Sequence, residues 1–238
     1  MQFENVKSTS LEPNSPLEKR VFSLMKKTIS DNISLEGFRA LIANSQQIEI
    51  IFCLEDNQEI GFMYCGTYQL NNKLIIIRSM LGMLTQYRKD SLKKAKLVLT
   101  KSMFSIKMKH LNKQVCLVSV IINPLVYAGL CSYWRQTYPS PNVSMTKKYQ
   151  TILESCSDYF NWKMNKDYVV KIPFSIFIEE KDIQRINQHN PYMIYFFSRV
   201  FSTNWDEGIV TVTPVNLMNL FSLTFRSIKK GIQGLVGK

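Results

Sequence analysis

Apolar and polar positions alternate along the chain in two rhythms, and the places where the rhythm changes mark its elements. Residues 16–43 carry Leu17, Val21, Phe22, Leu24 and Met25 at helical spacing, and a second helical stretch over 35–42 follows Ser34, a natural cap. The rhythm then shortens. Residues 48–54 and 60–68 are rich in apolar, β-branched and aromatic side chains, with turn-forming Glu55-Asp56-Asn57-Gln58 between them, and Asn71-Asn72 leads into a third such run from Lys73 to Leu84. The pattern predicts two opening helices and then an antiparallel meander.

After the third run the chain turns polar from Thr85 to Ser91. From Leu92 onward Ala95, Val98, Leu99, Ser102, Met103 and Ile106 return at helical spacing, with lysines mainly off that face. Residues 114–122 predict a further strand, and Asn123-Pro124 suits the start of an apolar helix, Asn123 as cap and Pro124 where no N–H is needed. Two prolines between Tyr138 and Asn142 mark a loop, which divides the chain into a core of residues 1–142 and an extension of residues 143–238. The extension predicts a helix over 149–162, an extended segment over 168–178 broken at Pro173, a short helix over 181–187, an aromatic helix from Asn190-Pro191 to Phe201 and a strand at 210–213. Residues 215–238 place Leu217, Leu220, Phe221, Thr224, Ile228, Ile232 and Leu235 on one side, with Arg226, Lys229 and Lys230 near the end. Either this segment packs on the domain, or it is an interfacial helix that meets lipid or an acyl chain.

Composition narrows the classes. A chain of 238 residues with 45% apolar and 12% aromatic residues has enough material for a substantial globular core. Its first residues show no apolar run beside a basic start, so a secretory signal is not expected and a cytoplasmic location is. The five cysteines, Cys53, Cys65, Cys116, Cys131 and Cys156, show no Cys-x-x-Cys spacing and sit in apolar settings, which predicts buried free thiols. With only His110 and His189, neither a metal site nor a His-dependent triad is expected. Residues 115–134 are uncharged over a membrane-span length, but Asn123-Pro124 would break that helix at its centre and its first half is β-branched.

Charge points to chemistry. The net charge of +12 calls for anionic partners: the phosphates of a nucleotide-like cofactor, the carboxylates of an acyl carrier protein or acidic peptide, or a nucleic acid. Nucleic acid is the weakest of these, because the chain has no helix-turn-helix, RNA-binding sheet signature or zinc finger. The strand, polar loop and helix start around residues 85–93 can hold an anion on unpaired N–H groups at the positive end of the helix dipole. Arg88, Lys89, Lys93, Lys94 and Lys96 surround that point and only Asp90 opposes them. The glycines of a Walker loop or a Rossmann loop are absent.

Tyr87-Arg88-Lys89-Asp90-Ser91-Leu92-Lys93 resembles the pyrophosphate-binding signature of the GNAT acyltransferases: Tyr87, Arg88 and Leu92 match, whereas Lys89, Ser91 and Lys93 replace small residues. The strand at 114–122 with Asn123-Pro124 resembles the fifth strand and following helix of that family, and the resemblance covers about residues 35 to 140. It implies an α/β fold, a mixed and mainly antiparallel twisted sheet flanked by helices, with a helical and stranded C-terminal extension. It also implies an N-acyltransferase that moves an acetyl or longer fatty acyl group from an acyl-CoA to a primary amine of a small molecule, peptide or protein by direct attack, with acyl-CoA as co-substrate and no permanently bound cofactor. An acyl carrier protein is the alternative donor. Main-chain groups of Met83, Leu84 and Thr85 would meet the pantetheine and the thioester carbonyl, residues Arg88, Lys89, Asp90, Ser91, Leu92 and Lys93 the pyrophosphate, and Asn123 the cofactor from the next helix. Family spacing puts the acid that protonates the leaving thiolate at Leu130; Tyr127 is the preferred tyrosine and Tyr133 the second. Glu49, Glu59, Tyr64 and Tyr68 border the acceptor cleft as candidate bases. A catalytically silent GNAT-like binding module, or a basic protein of membrane surfaces reaching lipid through residues 215–238, is the competing class.

Overall fold

In a computed structural model of the chain, residues 1–178, 182, 184, 189–200, 202, 204–216, 218 and 219 are described, without the side chains of residues 89, 90, 92 and 93. The sheet begins with β1 (Gln2–Ser8), to which the sequence pattern assigns no element. Only Phe3 and Val6 in that segment are apolar, and an edge strand that is mostly solvated needs no clean alternation. Two helices follow, α1 (Pro16–Thr28) and α2 (Leu35–Ile42). Ser15 Oγ accepts from Glu18 N at 3.1 Å and Ser34 Oγ from Gly37 N at 2.9 Å, so hydroxyl caps set both starts.

The meander is β2 (Gln47–Glu55), β3 (Gln58–Asn71) and β4 (Leu74–Met83). Asp56 and Asn57 both take positive φ in the two-residue connection, the conformation a type I′ hairpin requires. The chain then forms α3 (Arg88–Lys109), β5 (Gln114–Ile121), α4 (Pro124–Tyr133), α5 (Lys147–Tyr159), β6 (Val169–Lys171), α6 (Pro191–Phe197) and β7 (Glu207–Pro214). The strands make one seven-stranded sheet in the order β1-β2-β3-β4-β5-β7-β6, in which β4–β5 is parallel and every other pair antiparallel. This is a mixed, mainly antiparallel sheet flanked by helices, the α/β architecture expected from the sequence. Strands of residues 143–238 thus pair with those of residues 1–142 in the same sheet.

Strand alternation sorts the core into two faces. On one, α1 and α2 bury Val21, Leu24 and Met25 against Ile50, Phe52 and Phe62, and α5 buries Leu153 and Cys156 against Cys116, Val118, Val210 and Val212. On the other, α3 sets Ala95, Met103 and Ile106 over β3, β4 and β5, while α4 and α6 bury Tyr127, Cys131 and Phe196 over Ile121 and Ile209. The uncharged stretch 115–134 is β5 and α4, and among the described residues no helix is long and apolar enough to cross a membrane.

Several boundaries differ from the sequence pattern. Helix α5 ends at Tyr159 rather than Trp162, β6 spans only Val169–Lys171 of the extended 168–178 segment, and β7 starts at Glu207. The aromatic helix closes at Phe197. Of the short helix over 181–187 only residues 182 and 184 are described, both helical; the end of the aromatic helix at Phe201 and the segment 220–238 lie outside the described residues.

Candidate functional site

Strands β4 and β5 share a ladder only where Leu74–Ile77 face Gln114–Leu117. Beyond that point β4 runs on to Met83 against β3, and β5 runs on to Ile121 against β7, so the two strands part at their carboxyl ends. Leu84 N donates to Ile60 O at 2.8 Å, which directs the even-numbered residues of β4 toward β3. Gln114 N donates to Lys73 O at 2.8 Å, so the odd-numbered ones face β5, and beyond the ladder Ser79, Leu81 and Met83 turn their main-chain groups into the gap. Helices α3 and α4 each begin just after one of these strand ends, so two helix N-termini flank the opening. A crevice at the carboxyl ends of strands that diverge is where open α/β sheets bind ligands.

The polar segment that follows β4 is shorter than its sequence suggests. A 3-10 turn spans Thr85–Tyr87 and α3 begins at Arg88, so residues 88–91 belong to the helix and not to a loop. With side chains at the positions where an open phosphate loop would need glycine, the chain stays helical. The Tyr87 N–H is taken by Leu84 O at 3.0 Å and the Arg88 N–H by Thr85 O. Ser91 is buried on the side of α3 that also carries Ala95, facing the sheet. Met83 is buried beside Ala95, and Leu84 and Thr85 are half-buried at the rim. The side chains of Lys89, Asp90, Leu92 and Lys93 lie outside the described ones; Lys94 and Lys96 are exposed.

Arg88 reaches back around the end of β4. Its Nε donates to Met83 O at 3.1 Å, Nη2 to Thr28 O at 3.4 Å, and Nη1 lies 3.5 Å from an Asp182 oxygen. Gly82 allows this approach, because a Cβ there would sit 2.1 Å from Thr28 Oγ1. The guanidinium therefore fastens the end of α1 to the rim of the gap. On the far rim, Asn123 Oδ1 accepts from Leu125 N at 2.8 Å and from Val126 N at 3.4 Å, which occupies it as the α4 cap.

The two tyrosines of α4 face opposite ways. Tyr127 is buried with Cys131, Phe196 and Ile209 on the β7 side, stacks on Tyr195 at 6.1 Å, and donates its hydroxyl to Pro139 O at 2.9 Å. Burial pushes its pKa far above the ordinary tyrosine value, so it stays protonated there. Tyr133 packs with Ile75, Ile77, Met103 and Trp134 on the β4 side, under the Lys96 ammonium at 5.5 Å from its ring. Of the candidate bases, Glu59 pairs with Arg20, and Glu49 accepts from Asn5 at 2.6 Å and lies 3.5 Å from Lys7. Tyr64 and Tyr68 are buried with their hydroxyls 3.1 Å apart. All five cysteines are buried and free, and desolvation pushes Cys53 and Cys116 up to about 11 and Cys65, Cys131 and Cys156 up to about 12. No thiolate nucleophile is present at neutral pH among them.

One residue at the gap escaped the sequence reading. Arg78 is the only charged residue between Lys73 and Arg88, a signal available from the sequence, and it is the first residue of β4 beyond the shared ladder. Its side chain lies on the α1–α2–α5 face, with Nη1 donating to Leu41 O at 2.9 Å and the guanidinium carbon 4.6 Å above the Phe160 ring and 5.1 Å from that of Trp162.

No protein-family profile and no curated protein matches the chain. Among solved structures, the chain is similar to the NatC complex bound to Gag peptide and CoA (18% identity, 53% of this chain and 83% of that one, TM-score 0.36). It is also similar to a putative acetyltransferase of the GNAT family from Desulfovibrio desulfuricans (11% identity, 90% of this chain and 100% of that one, TM-score 0.37). A third such structure is an aminoglycoside 6'-N-acetyltransferase complexed with coenzyme A (12% identity, 89% of this chain and 97% of that one, TM-score 0.36).

Proposed function

We propose that the chain is an acyl-CoA-dependent N-acyltransferase whose donor lies in the gap between β4 and β5. The observation that carries this reading is the parting of that one parallel pair, with the main chain of Ser79, Leu81 and Met83 turned into the opening and the N-termini of α3 and α4 at its rim. An extended pantetheine arm can pair with such an edge as an added strand would, and the positive helix end favours the pyrophosphate. Lys94 and Lys96 on the exposed side of α3 add positive charge. Arg88 acts chiefly on the protein, holding the Met83 carbonyl and α1 so that the edge keeps its shape.

The reaction is direct attack. The nitrogen of a neutral amine adds to the thioester carbonyl, whose oxygen is held by a main-chain N–H of the β4 edge; the C–S bond then breaks and the nitrogen loses a proton to water. The thiolate takes its proton from Tyr133, the α4 tyrosine on the β4 side, and solvent restores it. Tyr127, held by Pro139 on the other side of the helix, has a structural task. The buried, protonated cysteines suit a path without a covalent enzyme intermediate.

The test is thiol release from acetyl-CoA and from longer acyl-CoAs with a panel of primary amines, with mass spectrometry of the products. The account expects CoA release that depends on the amine and an amide product heavier by one acyl group. Saturable CoA binding without turnover would move the chain to a silent binding module.

A further inference from the structure

Arg78 occupies an unusual setting. A guanidinium that leaves water needs a counter-charge or a full set of acceptors, because desolvating a charge is costly. In the described structure the carboxylates of Glu4, Glu18, Glu49, Glu55, Glu59, Asp167, Asp182 and Asp206 pair with other cations, and none pairs with Arg78. Its neighbours are the Leu41 carbonyl, the stacked rings of Phe160 and Trp162, which lie 4.8 Å apart, and the Tyr64–Tyr68 hydroxyl pair. Desolvation pulls its pKa below the ordinary arginine value, a strain that an anion beside it would relieve. The residue as a whole keeps part of its surface accessible to solvent.

Position adds meaning to charge. Arg78 stands where β4 leaves β5, on the face of the sheet opposite α3. One face of the guanidinium lies on aromatic rings, one Nη is bonded to Leu41 O and the Tyr68 hydroxyl is a second, neutral partner, so no carboxylate answers a planar fork of a shape that pairs with one. We propose that Arg78 is a specificity-determining residue that receives the carboxylate of the acyl acceptor, so that the acceptor is an amine bearing a carboxylate, a free amino acid or short peptide, entering from the α1–α2–α5 face. This rests on the acyltransferase reading above: the donor approaches from the α3 side and the amine meets the thioester through the gap. Polycationic amines are disfavoured by the unpaired guanidinium and by the net charge of +12.

The test is titration calorimetry of the full chain in the presence of CoA, with L-leucine and the dipeptide Gly-Leu, each against its C-terminal amide, and with phosphoethanolamine. Wild-type protein is expected to bind an acid about tenfold more tightly than its amide, and Arg78→Met to reduce that preference to about twofold or less. Arg78→Lys keeps the charge and the stem and loses the fork, so it should also lose most of the preference, and it serves should the Met variant not fold. Absence of any preference for acid over amide in the wild type, including no binding by either acid, overturns the inference, as does a preference that survives both substitutions or tighter binding of phosphoethanolamine. The CoA affinity of the same samples separates the two levels. CoA binding intact with no acid preference removes only the Arg78 assignment, whereas loss of both removes the reading beneath it.

Discussion

At the scale of single residues, the proposed mechanism gives the two tyrosines of α4 different tasks. Tyr127→Phe should leave the Pro139 carbonyl without its partner inside a buried cluster, lowering stability by about 1–3 kcal/mol with turnover largely kept. Thermal denaturation beside an activity assay reads both. Tyr133→Phe should do the opposite, lowering kcat by about 10²-fold or more with little change in KM or melting temperature, because a general acid acts only on the chemical step. The sequence prefers Tyr127 to Tyr133 without showing which strand each one faces, and the cause is plain. Helix α4 is buried on two sides, toward β4 and toward β7, so its apolar pattern cannot say which tyrosine meets which strand. Arg88 teaches a similar lesson: a basic residue before a helix reads as a phosphate ligand, yet its contacts with Met83 O and Thr28 O show that a guanidinium can be needed by the fold itself.

At the scale of elements, the joints around the gap are where substitutions should tell. Gly82→Ala would drive a methyl group into Thr28 and force α1 off β4, with an expected loss of about 1–3 kcal/mol and a weaker hold of Arg88 on Thr28 O. Equilibrium unfolding in urea would show it. The start of α1 is tied to α2 through buried Glu18, which accepts from Asn14 N at 2.7 Å and from Arg39 Nε at 2.7 Å. The Arg39 hydrogen bonds hold its carboxyl below the usual range, so this tie stabilises the fold above the unfolded carboxylate's pKa and is lost as pH falls through the lowered folded value. Glu18→Gln should therefore lower the melting temperature at neutral pH and flatten its decline in acid. The meander and α1 to α4 were legible because their apolar periods are long and their caps and turns local. Strand β1 was not, and β6 was legible only as part of a longer extended segment, since a neighbouring strand and not their own pattern sets their extent.

At the scale of the whole molecule, the parting of β4 from β5 is a property of topology that no motif states. The motifs place a strand, a helix and a second strand in order; only the ladder, ending at Ile77 and Leu117, shows that the sheet opens where those elements could hold a thioester. The net charge of +12 then predicts a donor affinity that falls as salt rises, because an anionic cofactor loses long-range attraction when the field is screened. The most direct measurement of the central claim is a calorimetric titration of the purified chain with coenzyme A, repeated with a variant carrying bulk on the α3 face beside the gap, Ser79→Trp, whose folding is checked by its melting curve. The account predicts one site per chain in the wild type and its loss in the folded variant. Coenzyme A that fails to bind the wild type, or binds the variant equally well, would contradict a donor site between β4 and β5.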